Sequence, residues 1–428
     1  MKYIESLLLH YGYDADNTGA TAVPIYQTSS YQFKSTDHAA KLFSLKESGF
    51  IYTRLNNPTL EVLEKRLTVL HDGSAALCVS SGMSAVTYSI LNIASSGDNI
   101  ISTSNLYGGT HTLFHHTLSK MGIHVHFVDS SNPNNFIKAA DANTKAFYME
   151  TIGNPKNNID NIEEIAKYAH SIDIPLIVDN TTAPYIFNPF DYGADIAVYS
   201  LTKFMTGNGT TIGGAVIEKG DFEWDSGKFP EFTKPDPSYH GLIYWDLFGN
   251  HQKALFRGTS YIYKMRLQLL RDIGAVMSPF NAFMTIEGLE TLPLRIEKHC
   301  KNALTVACFL EQHEKISWVN YPGLVSHPDY KRAIDYLKGN FGGIIGFGLK
   351  GGFEAGKKLI DSIEMIKHLA NIGDARTLII HPASTTHSQM TVEERKSAGV
   401  TDDFIRLSIG LENSEDIVHH LNKALLKV

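Results

Sequence analysis

The 428-residue chain has only three cysteines, Cys78, Cys300 and Cys308, and no CxxC pair. An odd count without metal-type spacing excludes a disulfide framework and fits a reducing, cytoplasmic setting. No apolar run approaches the roughly 18 residues that span a bilayer. Met1-Lys2-Tyr3-Ile4-Glu5 meets an acid too early to read as a signal peptide. Basic excess is absent too. A net charge of −7 and a pI near 6.2 argue against a nucleic-acid partner. HExxH is missing, so His111 and His115, four apart, have no evident third ligand and no metal is expected. What is present is ordinary for a folded protein: 43% hydrophobic and 19% charged residues, in a length that suits more than one domain.

Residues 1–57 show little regular periodicity and read as an extended arm. From Pro58, a favoured first-turn residue, helix and strand patterns alternate. Apolar runs at 75–79, 99–103, 123–128, 145–150, 175–179, 196–200 and 213–217 predict seven strands. Helical patterns over 58–71, 84–94, 109–121 and 161–172 alternate with them, which predicts an α/β fold around a mostly parallel sheet. Only a loop separates the last two runs, so the seventh strand is expected to run antiparallel. Residues 218–275 are rich in Pro, Gly and aromatics, and long loops of that kind line sites. Residues 266–313 read as helical. Strand patterns at 343–350, 377–382 and 404–410, with a helix near 356–368, predict a smaller C-terminal α+β domain. The expected division is an arm at 1–57, a large domain at 58–275 and a small domain at 276–428.

Ligands of parallel α/β sheets bind beyond the carboxyl ends of the strands. Three features sit there. Ser81-Gly82-Met83 opens a helix after a strand; its N–H groups and the Ser81 hydroxyl form an anion cradle, or merely a tight turn. Asp179 ends the fifth run, either capping the next turn or, if buried, requiring a cationic partner. Lys203 follows the sixth run, flanked by Ser200 and Thr202, either as a solvated loop lysine or as a desolvated amine that condenses with an aldehyde. The glycines after it would leave room for a ring and a substrate. Tyr107, just past the second run, is a core aromatic or a ring-stacking one. A phosphate cradle, a carboxylate for a cationic ring nitrogen and an amine for an aldehyde together match pyridoxal 5′-phosphate. The stretch 207–214 echoes a dinucleotide fingerprint, but its spacing is wrong and a strand follows it.

With YTRLNNPT (52–59), SSGMSA (80–85), NLYGGT (105–110), VDNT (178–181), SLTKFMTGNG (200–209) and RLSIGLE (406–412) in this order, the sequence resembles the Cys/Met-metabolism family of pyridoxal-phosphate enzymes. The resemblance implies the aspartate-aminotransferase-like fold, type I of the PLP-dependent transferases. It also implies a homotetramer of two tight dimers, in which Tyr52 and Arg54 reach the phosphate of the neighbouring subunit. Arg406 would grip the substrate carboxylate in a bidentate pair. Asn154 would lie by the ring hydroxyl and that carboxylate, and Asn371 would face the substrate. The stretches 229–242, 277–295 and 371–387 resemble the branch that exchanges the acetate of O-acetyl-L-homoserine for sulfide, giving homocysteine for methionine biosynthesis. Lys203 and Tyr107 would be its acid–base groups. Methionine γ-lyases typically carry cysteine where this chain has Gly109, and lyases and cystathionine enzymes a serine where it has Asn371. A γ-lyase or cystathionine γ-synthase on the same scaffold is the alternative enzyme. An idle sulfur-carrier or partner-binding protein is the alternative from another class.

Overall fold

The seven apolar runs pair into one sheet: β1 (Ala75–Val79), β2 (Asn99–Thr103), β3 (His124–Val128), β4 (Thr144–Glu150), β5 (Leu176–Asp179), β6 (Ile196–Ser200) and β7 (Gly214–Glu218), in a computed structural model that describes residues 1–386, 388 and 399–428. The motif at 371–387 ends on His387, outside the described residues. The strand order is β1-β7-β6-β5-β4-β2-β3. Neighbours among β2 to β6 run parallel, whereas β7 runs antiparallel to both β6 and β1, as the missing crossover helix requires. All strands but β7 therefore point the same way, and their carboxyl ends share one edge. β4, β6 and β7 are buried along nearly their whole length. That matches near-continuous apolar strands covered on both faces. The helices Pro58–Leu70 and Gly82–Leu91 pack on β1 and β7, and Ile162–His170 packs on β4 and β5.

A second sheet of five strands follows: β8 (Ile316–Asn320), β9 (Ile344–Leu349), β10 (Lys367–His368), β11 (Leu378–Ile380) and β12 (Phe404–Ser408). Its order is β10-β11-β12-β9-β8, antiparallel except for β10 beside β11. The helix Leu292–Gln312 packs on β8 and β9, and Gly352–Ser362 on β9 and β12. That second helix differs from the one expected near 356–368. Gly351, at φ +103°, starts it early and Ile363 is extended, which frees Lys367–His368 to pair as β10. Among the described residues no helix is long and apolar enough to cross a membrane.

The arm is more regular than its sequence suggests. Helices form at Ile4–His10 and Thr36–Phe43. Arg66, almost fully buried, donates to the carbonyls of Leu9 and Tyr11 at 2.9 and 3.2 Å and pairs with Glu290 at 2.8 Å. A distant side chain thus satisfies the end of a seven-residue helix, information that periodicity does not carry. The second helix is capped by Ser35, which accepts from the His38 amide.

A buried polar chain braces the carboxyl edge. Asn180 Nδ2 donates to the Tyr199 hydroxyl at 2.6 Å, the Tyr199 hydroxyl lies 2.6 Å from His71 Nε2, and Thr151 donates to Asn180 Oδ1 at 2.7 Å. Burial pushes His71 down to about 4. Its folded value lies below its unfolded one, so the unfolded chain takes up the extra proton and stability is lost as pH falls from about 6.5 towards 4. Urea midpoints between pH 7 and pH 5 will fall in the wild type, and a His71→Gln variant will show a shallower fall.

Candidate active site

Residues 201–206 turn tightly off the end of β6. The amide of Thr206 donates to the Leu201 carbonyl at 3.1 Å and that of Gly207 to the Lys203 carbonyl at 2.8 Å. The turn sends the Lys203 amine to Asn371 Oδ1, 2.6 Å away. Burial, helped by the charge of Arg406, pushes this lysine down to about 8. The acidic residues flanking it in sequence do not relieve it. Asp195 faces His170 and the Leu176 amide, and Glu218 accepts from the amides of Tyr261 and Ile262. Arg406 comes from the middle of β12 and is itself buried enough to be held below its usual range, with Tyr107 pulling it the other way. Two cations, an amide and a phenol thus converge from four separate segments.

Opposite charge comes from neighbouring strands. Glu150 and Asp179 are register partners at the ends of β4 and β5, and burial raises both carboxyls. Asp179 accepts from the Thr181 amide at 2.9 Å and lies near the Tyr148 hydroxyl, which is buried without a hydrogen-bond partner, and among the described residues Asp179 makes no salt bridge. Glu150 accepts the Tyr107 amide at 2.6 Å, and the nearby Asn154 backbone also favours its charged form. Sequence reasoning passed over Glu150 and Tyr148, although Glu150 closes an apolar run just as Asp179 does. The Tyr107 ring is half exposed and folds over Gly109, where an added Cβ would lie 2.5 Å from its Cε1.

The remaining expected residues divide into two groups. Ser81 caps the helix Gly82–Leu91, accepting from the Ser84 amide at 3.1 Å, while the Met83 carbonyl accepts from Thr87. Gly82 is wedged on Ser200: a Cβ there would fall 2.6 Å from the Ser200 Cβ. This joins the helix N-terminus to the start of the Lys203 turn. Thr202 already engages the backbone of Gly213, whose amide donates to its hydroxyl at 3.1 Å. Gly207 and Gly209 leave room for Arg295 and Asp374, not for a ring or substrate: Cβ atoms there would fall 2.1 and 2.4 Å from those side chains. Tyr52 and Arg54 stand apart. The guanidinium lies 5.3 Å from the Tyr52 ring centre and donates to the Arg271 carbonyl. Among the described residues no hydrogen bond or ion pair joins them to Ser81, Asp179 or Lys203 of the same chain.

This set fits pyridoxal 5′-phosphate. A buried carboxylate with no counter-cation suits a protonated ring nitrogen, a helix N-terminus closed by glycine suits a phosphate, and a desolvated amine suits an aldehyde.

The family model described as Cys/Met metabolism PLP-dependent enzyme matches residues 5–426. An O-acetyl-L-homoserine sulfhydrylase of Leptospira meyeri is 53% identical, with 99% of this chain and 97% of that one covered. A homocysteine synthase of Schizosaccharomyces pombe is 46% identical over 99% and 98% of the two chains. Among solved structures, a protein described as an O-acetylhomoserine (thiol)-lyase of Campylobacter jejuni, containing N'-pyridoxyl-lysine-5'-monophosphate, matches with a TM-score of 0.92. It is 42% identical, and 99% of each chain is covered. The pair of sheets described above is thus the fold of type I PLP-dependent enzymes.

Because a neutral amine is the nucleophile, acylation of Lys203 in protein free of cofactor will rise with pH around a midpoint near 8, well below the ordinary lysine range. Peptide mapping after brief labelling at several pH values measures it.

Proposed function

The chain belongs to the Cys/Met metabolism family of PLP-dependent enzymes, and on that premise we propose that it converts O-acetyl-L-homoserine and sulfide to L-homocysteine and acetate. The observation that carries this reading is the full-length likeness, at 53% identity, to an enzyme named for that sulfhydrylation. Gly109 and Asn371 support it over a γ-lyase or a cystathionine γ-synthase. Intact acid, amine and guanidinium groups support it over an idle binding protein.

Pyridoxal phosphate, when bound, supplies an aldehyde for the substrate amine and a cationic ring that withdraws electrons from the substrate carbons. Asp179 would hold the ring nitrogen protonated, its own charge favoured by the Thr181 amide. Ser81, Gly82, Met83 and Ser200, with Thr202, would hold the phosphate. Tyr52 and Arg54 of a second subunit would complete that grip, with the arm at 1–57 as the reaching segment. Lys203 would anchor the aldehyde at rest. Once freed, its amine, pushed down to about 8 and so able to shed its proton readily, would remove and return protons at Cα and Cβ of the substrate. Arg406 would bind the substrate carboxylate, with Asn154 beside it. Asn371 would orient the Lys203 amine and line the substrate. Tyr107 would serve as the acid near Cγ, where acetate departs and sulfide adds. The enzyme would work in the cytoplasm as a homotetramer built from two tight dimers.

Steady-state assays will yield homocysteine from O-acetylhomoserine and sulfide, with little 2-oxobutanoate from methionine or cystathionine from cysteine. A dominant lyase product would reverse the order of the readings. Lys203→Ala will lower turnover by at least about 10²–10⁴-fold. Arg54→Ala will be weak alone, but mixing it with Lys203→Ala and reassembling the subunits will restore activity, as a shared site requires. Failure of such mixtures to recover would remove Arg54 from the neighbour's site.

A further inference from the structure

The helix Leu292–Gln312 turns a polar stripe inward. Arg295, His299 and Asn302, at positions i, i+4 and i+7, are all buried and lie on one face. Each bonds to backbone carbonyls of the two segments that bring Lys203 and Arg406 together. Arg295 Nη1 donates to Phe204 at 2.7 Å, and Nη2 to Met205 and Gly288 at 3.0 and 2.7 Å. His299 Nδ1 donates to Ile409 at 2.6 Å, and Asn302 Nδ2 to Gly410 and Glu412 at 2.9 and 2.8 Å. Phe204 and Met205 directly follow Lys203, and Ile409 lies just past the end of β12, which carries Arg406.

Arg295 makes no salt bridge among the described residues, and burial lowers it to about 10. Keeping a buried cation without a counter-charge is costly. One glycine makes room for it and a second for the turn that it binds. A Cβ at Gly207, where φ is +78°, would fall 2.1 Å from Nη1, and one at Gly288 would fall 2.5 Å from the Met205 carbonyl. Capping the helix Pro279–Glu290 explains the bond to Gly288 but not the fork on the turn. A planar guanidinium can hold two adjacent carbonyls in fixed directions, whereas an ammonium is a point donor.

We propose that Arg295 is a positioning residue for Lys203: its guanidinium clamps the 204–205 carbonyls and so aims the Lys203 amine at Asn371. His299 and Asn302 hold the segment after Arg406 to the same helix, so one rigid element sets the spacing of the two cations. The proposal rests on Lys203 being the residue that carries the cofactor.

The test uses full-length protein loaded with pyridoxal phosphate, as wild type, Arg295→Lys and Arg295→Met. Arg295→Met will lose about 10- to 100-fold in kcat with KM within about threefold, since a misplacement of about 1 Å can cost a hundredfold. Arg295→Lys will lie between it and wild type. Amide exchange will quicken at Thr206 and Gly207 in protein without cofactor, and the pH midpoint of the bound cofactor's absorbance will shift. If Arg295→Met does not fold, the exchange and absorbance of Arg295→Lys decide. Wild-type exchange and kcat in the variants would overturn the proposal. So would equal losses in kcat and KM with exchange loosened everywhere, which is the mark of a purely structural role. Borohydride reduction and peptide mapping of the wild type test the underlying reading separately: a pyridoxyl group on a lysine other than Lys203 would defeat that reading whatever the variants do.

Discussion

Desolvation at one sheet edge is the constraint on which the site depends. Because β1, β2, β4, β5 and β6 share a direction, their carboxyl ends deliver Ser81, Tyr107, Glu150, Asp179 and Ser200 to the same rim. The second sheet brings Arg406 to that region, and the Lys203 turn brings the amine. The buried carboxyls are pushed up and the buried cations down, so each group is held against its preferred charge. Each buried ion costs several kcal/mol unless something neutralises it. Among the described residues no salt bridge neutralises Asp179 or Arg406. A ligand carrying a cationic nitrogen at one end and a carboxylate at the other would do so. This is electrostatic preorganisation, with folding stability given up to hold it.

Much of the edge was legible because strand ends are legible. A charged residue after four apolar ones is visible in "PLIVD", and it is equally visible in the run ending at Glu150. The antiparallel β7 also followed from a missing helix. Less visible was anything that needed a partner far along the chain. Arg295 reads as one more cation in an amphipathic helix, and only the fold brings it to carbonyls some ninety residues earlier. In the sequence the glycines after Lys203 suggest space for a ligand. Their φ values and neighbours explain them instead as space for Arg295 and Asp374. Arg406 was beyond composition and spacing altogether, because a strand arginine in a sequence looks like any other. The resemblance marked it out.

The arm follows the same rule. Residues 4–10 are too short to form a helix alone, and they do so here because Arg66 and the helix Pro279–Glu290 receive them. Tertiary contacts decided what local periodicity left open.

The antiparallel insertion of β7 has a consequence for the order in which the molecule comes together. Among the described residues the one strand of its sheet that β1 pairs with is β7, Ala75 opposite Glu218 and Val79 opposite Gly214, with a single further bridge from Val79 to Val276. The first strand to leave the ribosome therefore waits for the last before it has a neighbour. Such long-range pairing is slow because the loop must close before the contact repays it. Ser81 and Gly82 follow β1, while Lys203 sits between β6 and β7, so one late event aligns both halves of the cradle. A chain stalled before that step has no surface shaped for the cofactor. Ligand binding therefore favours the state in which β1 and β7 are paired over any in which they are apart.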